Sequence, residues 1–137
     1  MIEVINLQRK ARLRVRSFRD LVAGLVRRYR LKDPDIVLAF VDDRRIKLLN
    51  REFRGKDKAT DVLSFPIGTR GPDGRYFLGD IIISVPRAAA QAAEKNHALD
   101  RELRVLVIHG FLHLLGYKHF RGMEAEETKV RRKFLGA

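Results

Sequence analysis

Three histidines near the carboxyl end of the chain have the spacing of a metal site. His109 and His113 are four residues apart, so on a helix both imidazoles lie on one face, one turn apart. Gly116 lets the chain leave that helix through a left-handed turn, and His119 follows three residues later. Zinc prefers tetrahedral coordination, so three converging nitrogen ligands would leave a fourth position for water, as in catalytic sites.

The alternative is that these histidines are ordinary core residues. The segment 107–120 is apolar nearly all round, so its histidines are expected to be buried, and a buried imidazole costs free energy unless it has a partner. A stray hydrogen bond could explain one such residue, but not three with a helix-ending glycine between them. The sequence therefore predicts one Zn²⁺ per chain, although three imidazoles also suit nickel, copper or iron. His97 lies outside this cluster, and we expect it to be solvated.

The same spacing is found in the metzincin proteases, whose pattern is H-E-x-x-H-x-x-G-x-x-H. Here Gly110 occupies the place of the glutamate, which is the general base of those enzymes. Peptide hydrolysis by the usual route is therefore disfavoured.

A second candidate region is a polar loop in the middle of the chain. Arg54, Lys56 and Lys58 fall within five residues, around Gly55 and Asp57. Alternating cations on such a loop can bind phosphates, and arginine can do so bidentately. A solvated surface loop would have the same composition, so both interpretations stay open.

Hydrophobic periodicity predicts the elements that position these residues. Strands are expected at 2–6, 35–41, 62–65 (stopped by Pro66) and 77–85. Helices are expected from an N-cap at Ser17 to about residue 30, after Asp42 or Asp43, after Pro86, from an N-cap at Asp100 to about residue 115, and at 123–134. This order favours an α+β fold: one domain over residues 1–137, with a small mixed β-sheet of about four strands packed with helices and a metalloprotease-like three-histidine site.

Charge and composition limit the class of partner. The net charge is +12 at pH 7, which attracts polyanions such as nucleic acids. The chain has no cysteine, so disulfides and thiolate metal sites are excluded. No segment has the length of a membrane span or the pattern of a signal peptide, so a cytoplasmic protein is expected.

Three segments together resemble one family. NREFRGKDKATDVLSFP (50–66), LGDIIIS (78–84) and HGFLHLLGYKH (109–119) resemble the YbeY family of bacterial endoribonucleases and ribosomal RNA maturation factors, in order and over essentially the whole chain. The resemblance implies that His109, His113 and His119 are the zinc ligands and that Arg54 is functionally important. Where the family usually has an aspartate before the last histidine, this chain has Lys118.

The function expected from the residues and the resemblance together is metal-dependent cleavage of single-stranded RNA, in ribosomal RNA processing and ribosome quality control. Arg54 is the expected catalytic residue, Lys56 and Lys58 bind substrate, and ribosomal subunits are the expected partners. Asp61 or Asp80 could orient a ligand or take a proton, but a buried aspartate is equally often a backbone hydrogen-bonder. The rival is a zinc-stabilised ribosome-assembly factor that binds RNA without cutting it.

Overall fold

The computed structural model describes residues 1–117 and 122–136. Within them the chain forms four strands and five helices. The strands are β1 (Ile2–Asn6), β2 (Asp35–Val41), β3 (Val62–Arg70) and β4 (Tyr76–Ser84). The helices are α1 (Val15–Arg28), α2 (Asp43–Arg54), α3 (Val85–Glu94), α4 (Leu99–Leu114) and α5 (Met123–Leu135).

The strands form one mixed sheet in the order β1-β2-β4-β3. β1, β2 and β4 run parallel, whereas β3 pairs antiparallel with β4 and lies at the edge of the sheet. This arrangement confirms the predicted α+β fold with a four-stranded mixed sheet.

Two hydrophobic clusters hold the helices on the sheet. The larger cluster includes α1, α4 and parts of α3 and α5, with Phe18, Phe40 and Phe111 fully buried. The smaller cluster joins Ile46 of α2 to Val41 and Leu63 of the sheet. Because strand residues alternate between faces, α2 covers one face of the sheet while α4 covers the other.

Several predicted helix and strand ends differ from the structure. The first helix begins at Val15 rather than after an N-cap at Ser17, and the Ser17 hydroxyl instead accepts a hydrogen bond from Arg104. The N-cap of α4 is Ala98, with Asp100 inside the first turn. The third strand continues past Pro66 because an edge strand tolerates a residue without an N–H group. Asp42 does cap α2, its carboxylate accepting from the Arg45 backbone N–H.

Candidate metal and RNA site

Helix α4 places two of the predicted zinc ligands side by side. His109 and His113 are one turn apart, and their Nε2 atoms lie 3.2 Å from each other. The ring centres are 4.7 Å apart, with the ring planes inclined at 70°. The sequence predicted that both histidines would be buried. Both side chains are only half-buried, because they face a cleft and not the apolar core.

Helix α5 contributes a carboxylate behind the first of these rings. Both oxygens of Glu127 lie 3.3 Å from Nδ1 of His109. The Glu127 side chain is 16% exposed, so this contact is largely shielded from solvent. A carboxylate that accepts the Nδ1 proton fixes the ring's orientation and leaves Nε2 unprotonated for ligation. Sequence analysis missed Glu127 because its separation from His109 follows no known motif.

The packing around Gly110, the residue directly after His109, leaves no room for the glutamate of the metzincin pattern. A Cβ atom added at Gly110 would lie 2.7 Å from Ile81 Cγ2 and 3.1 Å from Ser64 Oγ. The Ser64 hydroxyl also donates to the Gly110 carbonyl oxygen at 3.2 Å. Gly110 therefore lets α4 approach the sheet closely, and a glutamate at this position would collide with β3 and β4.

The two imidazoles open onto a cleft of about 770 Å³. Its lining residues come from the end of α2, from β3, from α4 and from the loops that precede β3 and follow α4: Arg54, Thr60, Asp61, Val62, Ser64, Pro66, His109, His113, Gly116 and Tyr117. The structure thus brings Arg54, predicted as catalytic, into the same cleft as two predicted metal ligands.

Arg54 is anchored to the edge of the sheet. Its Nη2 atom donates to the Ser64 carbonyl oxygen at 2.7 Å, and its guanidinium carbon lies 5.7 Å from the centre of the Phe65 ring. This anchoring holds a positive charge at the wall of the cleft. Because the arginine fork carries five N–H donors, one such bond does not exhaust its capacity to bind phosphate.

The edge strand beside the cleft is poorly suited to pair with a peptide. The Val62 N–H donates to Asp61 Oδ1 at 2.8 Å, the Ser64 carbonyl is taken by Arg54, and Pro66 has no N–H. Strand addition needs such backbone groups to be available. This observation weighs against the protease alternative independently of the missing glutamate.

The two aspartates considered from sequence have different positions. Asp61 lines the cleft, and its second carboxylate oxygen accepts from Gln91 Nε2 at 3.1 Å. Asp80 alternates with Ile81 along β4 and therefore lies on the α2 face of the sheet, away from the histidines. Burial raises the pKa of the Asp80 carboxyl above its usual range. The structure removes Asp80 from the candidate site.

Lys56 and Lys58 are exposed on the loop that leaves α2, and neither lines the cleft. Gly55 takes up a left-handed conformation with φ of 68° to end the helix. The loop then folds back over buried Asn50, whose Nδ2 donates to the Lys58 carbonyl oxygen at 2.9 Å. The two lysines therefore border the site on a loop that is tied to the core.

The described part of the proposed zinc site fits the ion. Tetrahedral Zn–N bonds of about 2.05 Å place two ligand nitrogens roughly 3.3 Å apart, close to the observed Nε2 separation. Among residues 1–117 and 122–136 no cluster of three His, Cys, Asp or Glu side chains could hold a metal. His119, the predicted third ligand, and Lys118 lie outside the described residues, so the three-histidine site stays a prediction.

The expectation of a solvated His97 was wrong. Its Nε2 atom lies 2.7 Å from Glu102 Oε1, and the His97 side chain is only 20% exposed. Glu102 is fully buried and also accepts from Lys95 Nζ at 3.1 Å. A buried carboxylate needs such partners, which explains the position of His97.

Comparison with known proteins gives consistent matches. Residues 3–135 match the family model described as endoribonuclease YbeY. A relative named endoribonuclease YbeY from Moorella thermoacetica is 49% identical over 111 residues, covering 75% of this chain and 71% of the relative. The relative of that name from Bacillus cytotoxicus is 45% identical, covering 75% of this chain and 72% of the relative. The one from Geobacillus thermodenitrificans is 50% identical, covering 69% of this chain and 64% of the relative.

A solved structure supports the fold. The solution structure of a Thermotoga maritima protein is similar to this chain with a TM-score of 0.68 and 27% sequence identity, covering 99% of this chain and 90% of the other. Within the described residues, no helix is both long enough and apolar enough to span a membrane.

Proposed function

The chain belongs to the endoribonuclease YbeY family, and from that premise we propose that it cleaves single-stranded RNA in a metal-dependent reaction during ribosomal RNA maturation and ribosome quality control. The observation that carries the metal dependence is the pair of Nε2 atoms 3.2 Å apart in a cleft that also contains Arg54. Glu127 supports the same assignment because metal-binding histidines almost always have a partner at the other ring nitrogen.

The chain's own residues divide the work between holding the ion and holding the substrate. His109, His113 and His119 would bind the ion, and the chemistry that zinc supplies in such a site is Lewis-acid activation of water or of a phosphoryl oxygen. Arg54 would stabilise the charge that develops on the phosphate in the transition state. Lys56 and Lys58, on the bordering loop, would bind neighbouring phosphates of the strand.

The substrate assignment rests on charge and on the shape of the site. A net charge of +12 favours a polyanion, and the open cleft leaves the metal ligands accessible to an extended strand. Ribosomal subunits in the cytoplasm are the partners we propose, because ribosomal RNA is the substrate implied by the family resemblance.

A binding module without cleavage activity is the second candidate. The absence of the metzincin glutamate favours this candidate, since the glycine at position 110 has no side chain that could act as the general base of that mechanism. The three-histidine ligand set favours the enzyme, because a zinc ion held by three protein ligands would keep a fourth coordination position for water or substrate.

A cleavage assay separates these candidates. Single-stranded ribosomal RNA is incubated with zinc-loaded protein, with chelated protein shown by circular dichroism to be folded, and with His113→Ala. We expect about one zinc per untagged chain by elemental analysis, and cleavage only by the loaded unchanged protein. His97→Gln, outside the cleft, is the matched control; the glutamine amide can still donate to Glu102, so both zinc and activity should be kept. Folded, metal-free protein that cleaves at the full rate would exclude metal dependence, and RNA binding without any cleavage would favour the binding module.

A further inference from the structure

Phe53 is the most exposed of the large hydrophobic side chains in the described residues. Its exposed fraction is 67%, and it lies in the last turn of α2, next to Arg54. Burying a phenylalanine side chain is favourable, so a folded chain gains little by presenting one to solvent. A single exposed hydrophobic side chain is common on protein surfaces, so Phe53 is informative because of its position beside the candidate site and not because of its exposure alone.

Phe53 is part of an ordered cluster. Its ring packs edge-to-face on Phe65 of β3, with the centroids 5.7 Å apart and the planes inclined at 69°. The Arg54 guanidinium lies 5.7 Å from the centre of the same Phe65 ring. Phe65 thus packs against both Phe53 and Arg54, and we call these three side chains (Phe53, Arg54 and Phe65) the aromatic platform.

The platform borders the cleft. Arg54 belongs to both, and Phe65 lies between two cleft-lining residues, Ser64 and Pro66, while its own ring projects to the α2 face. The exposed segment 51–58 carries four cations, Arg51, Arg54, Lys56 and Lys58, against two carboxylates, Glu52 and Asp57, so its net charge is positive. An exposed aromatic ring on a segment of net positive charge matches a nucleotide, which has a flat π face and an anionic phosphate, better than it matches an apolar protein surface.

We propose that Phe53 stacks on an unpaired base next to the phosphate that Arg54 contacts, and that this stacking contributes to a preference for single strands. The proposal rests on the proposed RNA substrate. A base within a duplex is already stacked on its neighbours and paired, so its face is not available to the ring. An unpaired base can turn onto Phe53 while its phosphate reaches Arg54.

The competing explanation is that Phe53 has only a structural role, packing the end of α2 against β3. In that case its replacement lowers stability and affects all ligands equally. Phe53→Leu keeps apolar volume but removes the aromatic face, and Phe53→Tyr keeps the face. Leu48→Ala removes another exposed apolar side chain of α2, 42% exposed, and is the matched control.

The test measures binding by fluorescence anisotropy with two labelled probes. One is a single-stranded 2′-O-methyl oligonucleotide, and the other has the same length and charge but abasic residues at its centre. We expect Phe53→Leu to weaken binding of the first probe about tenfold, within the range for loss of one stacked base, and to leave binding of the abasic probe unchanged. Phe53→Tyr and Leu48→Ala should bind both probes like the unchanged protein. In cleavage assays Phe53→Leu should raise KM with little change in kcat.

The outcomes distinguish the platform from the proposed function. If the unchanged protein binds and cleaves single-stranded RNA but Phe53→Leu loses no affinity, or loses it equally for both probes, the stacking role is overturned while the nuclease stands. If the unchanged protein neither binds nor cleaves RNA, the proposed function fails and the platform fails with it. Retained RNA binding by Phe53→Leu together with loss of a co-purifying protein would assign the surface to a protein partner and overturn the proposal.

Discussion

Glu127 approaches His109 from behind, with both carboxylate oxygens 3.3 Å from Nδ1. This contact predicts that Glu127→Gln weakens zinc binding by about 10- to 100-fold, since the partners of metal-binding histidines typically contribute that much. The amide keeps the shape of the side chain, so folding should be preserved. Competition with a chromogenic chelator measures the affinity.

The control for this variant is Glu124→Gln, which changes an exposed carboxylate on the same helix. It should leave the zinc affinity unchanged. Equal affinities for the Glu127 and Glu124 variants would mean that His109 does not depend on its carboxylate partner for metal binding.

Arg54→Ala should reduce single-turnover cleavage about 100-fold, which corresponds to about 3 kcal/mol of transition-state stabilisation. Zinc content should be unchanged, because Arg54 contacts the Ser64 carbonyl and not the histidines. RNA binding should persist through the remaining basic surface. Arg54→Lys keeps the charge but loses the planar fork, and we expect an intermediate rate. A wild-type cleavage rate in Arg54→Ala would refute the assigned role.

The loop lysines make a prediction about salt. If Lys56 and Lys58 each neutralise one phosphate, replacing both with alanine lowers the slope of log affinity against log salt by about 0.7 for each lost contact with a single strand. The Phe53→Leu variant should leave this slope unchanged, because stacking releases no counterions. Affinity of the unchanged protein that is flat from low to high salt would contradict the electrostatic interpretation.

The partly buried carboxyl of Asp80 predicts a pH effect on stability. Because burial raises its pKa, the folded state holds this proton at a higher pH than the unfolded state does. The contribution of Asp80 to folding stability therefore falls as the pH rises from the unfolded pKa, about 3.9, through the raised folded pKa. Asp80→Asn should be more stable than the unchanged protein at pH 7, and the difference should shrink toward pH 3.5. Denaturant unfolding at both pH values measures it, and a difference that does not change with pH would contradict the prediction.

The sequence predicted those parts of the fold that depend on local pattern. The strands β1 and β2 were predicted at their observed bounds, and Gly116, with φ of 94°, lies just beyond the end of α4 as expected. Asp42 caps α2 as predicted because capping is a local effect. Pro86 lies in the first turn of α3, but the helix begins one residue before it, at Val85, which was predicted as the end of the strand. The N-caps proposed at Ser17 and Asp100 were wrong because tertiary packing extends both helices backward, and capping preference is weak against it.

Contacts between distant segments could not be predicted. Glu127 reaches His109 only because α5 packs on α4, and Arg54 enters the cleft only because the edge strand offers it the Ser64 carbonyl. The pairing of His97 with Glu102 likewise depends on tertiary burial. Glu102 lies in the first turn of α4, where the sequence indicates an exposed polar residue, but its carboxylate is fully buried. The spacing of His109 and His113, in contrast, could be interpreted from the sequence because both proposed ligands belong to one helix.

Helix α4 carries the two proposed metal ligands His109 and His113 and also supplies much of the core, with Leu103, Ile108, Phe111 and Leu112 fully buried. The helix is therefore ordered by packing before any ion arrives, unlike small zinc domains that are unfolded without metal. Folding and metal loading should be separable events in this chain. Free zinc then raises the melting temperature only through mass action on the native state, and the ion can be exchanged without the protein passing through an unfolded form.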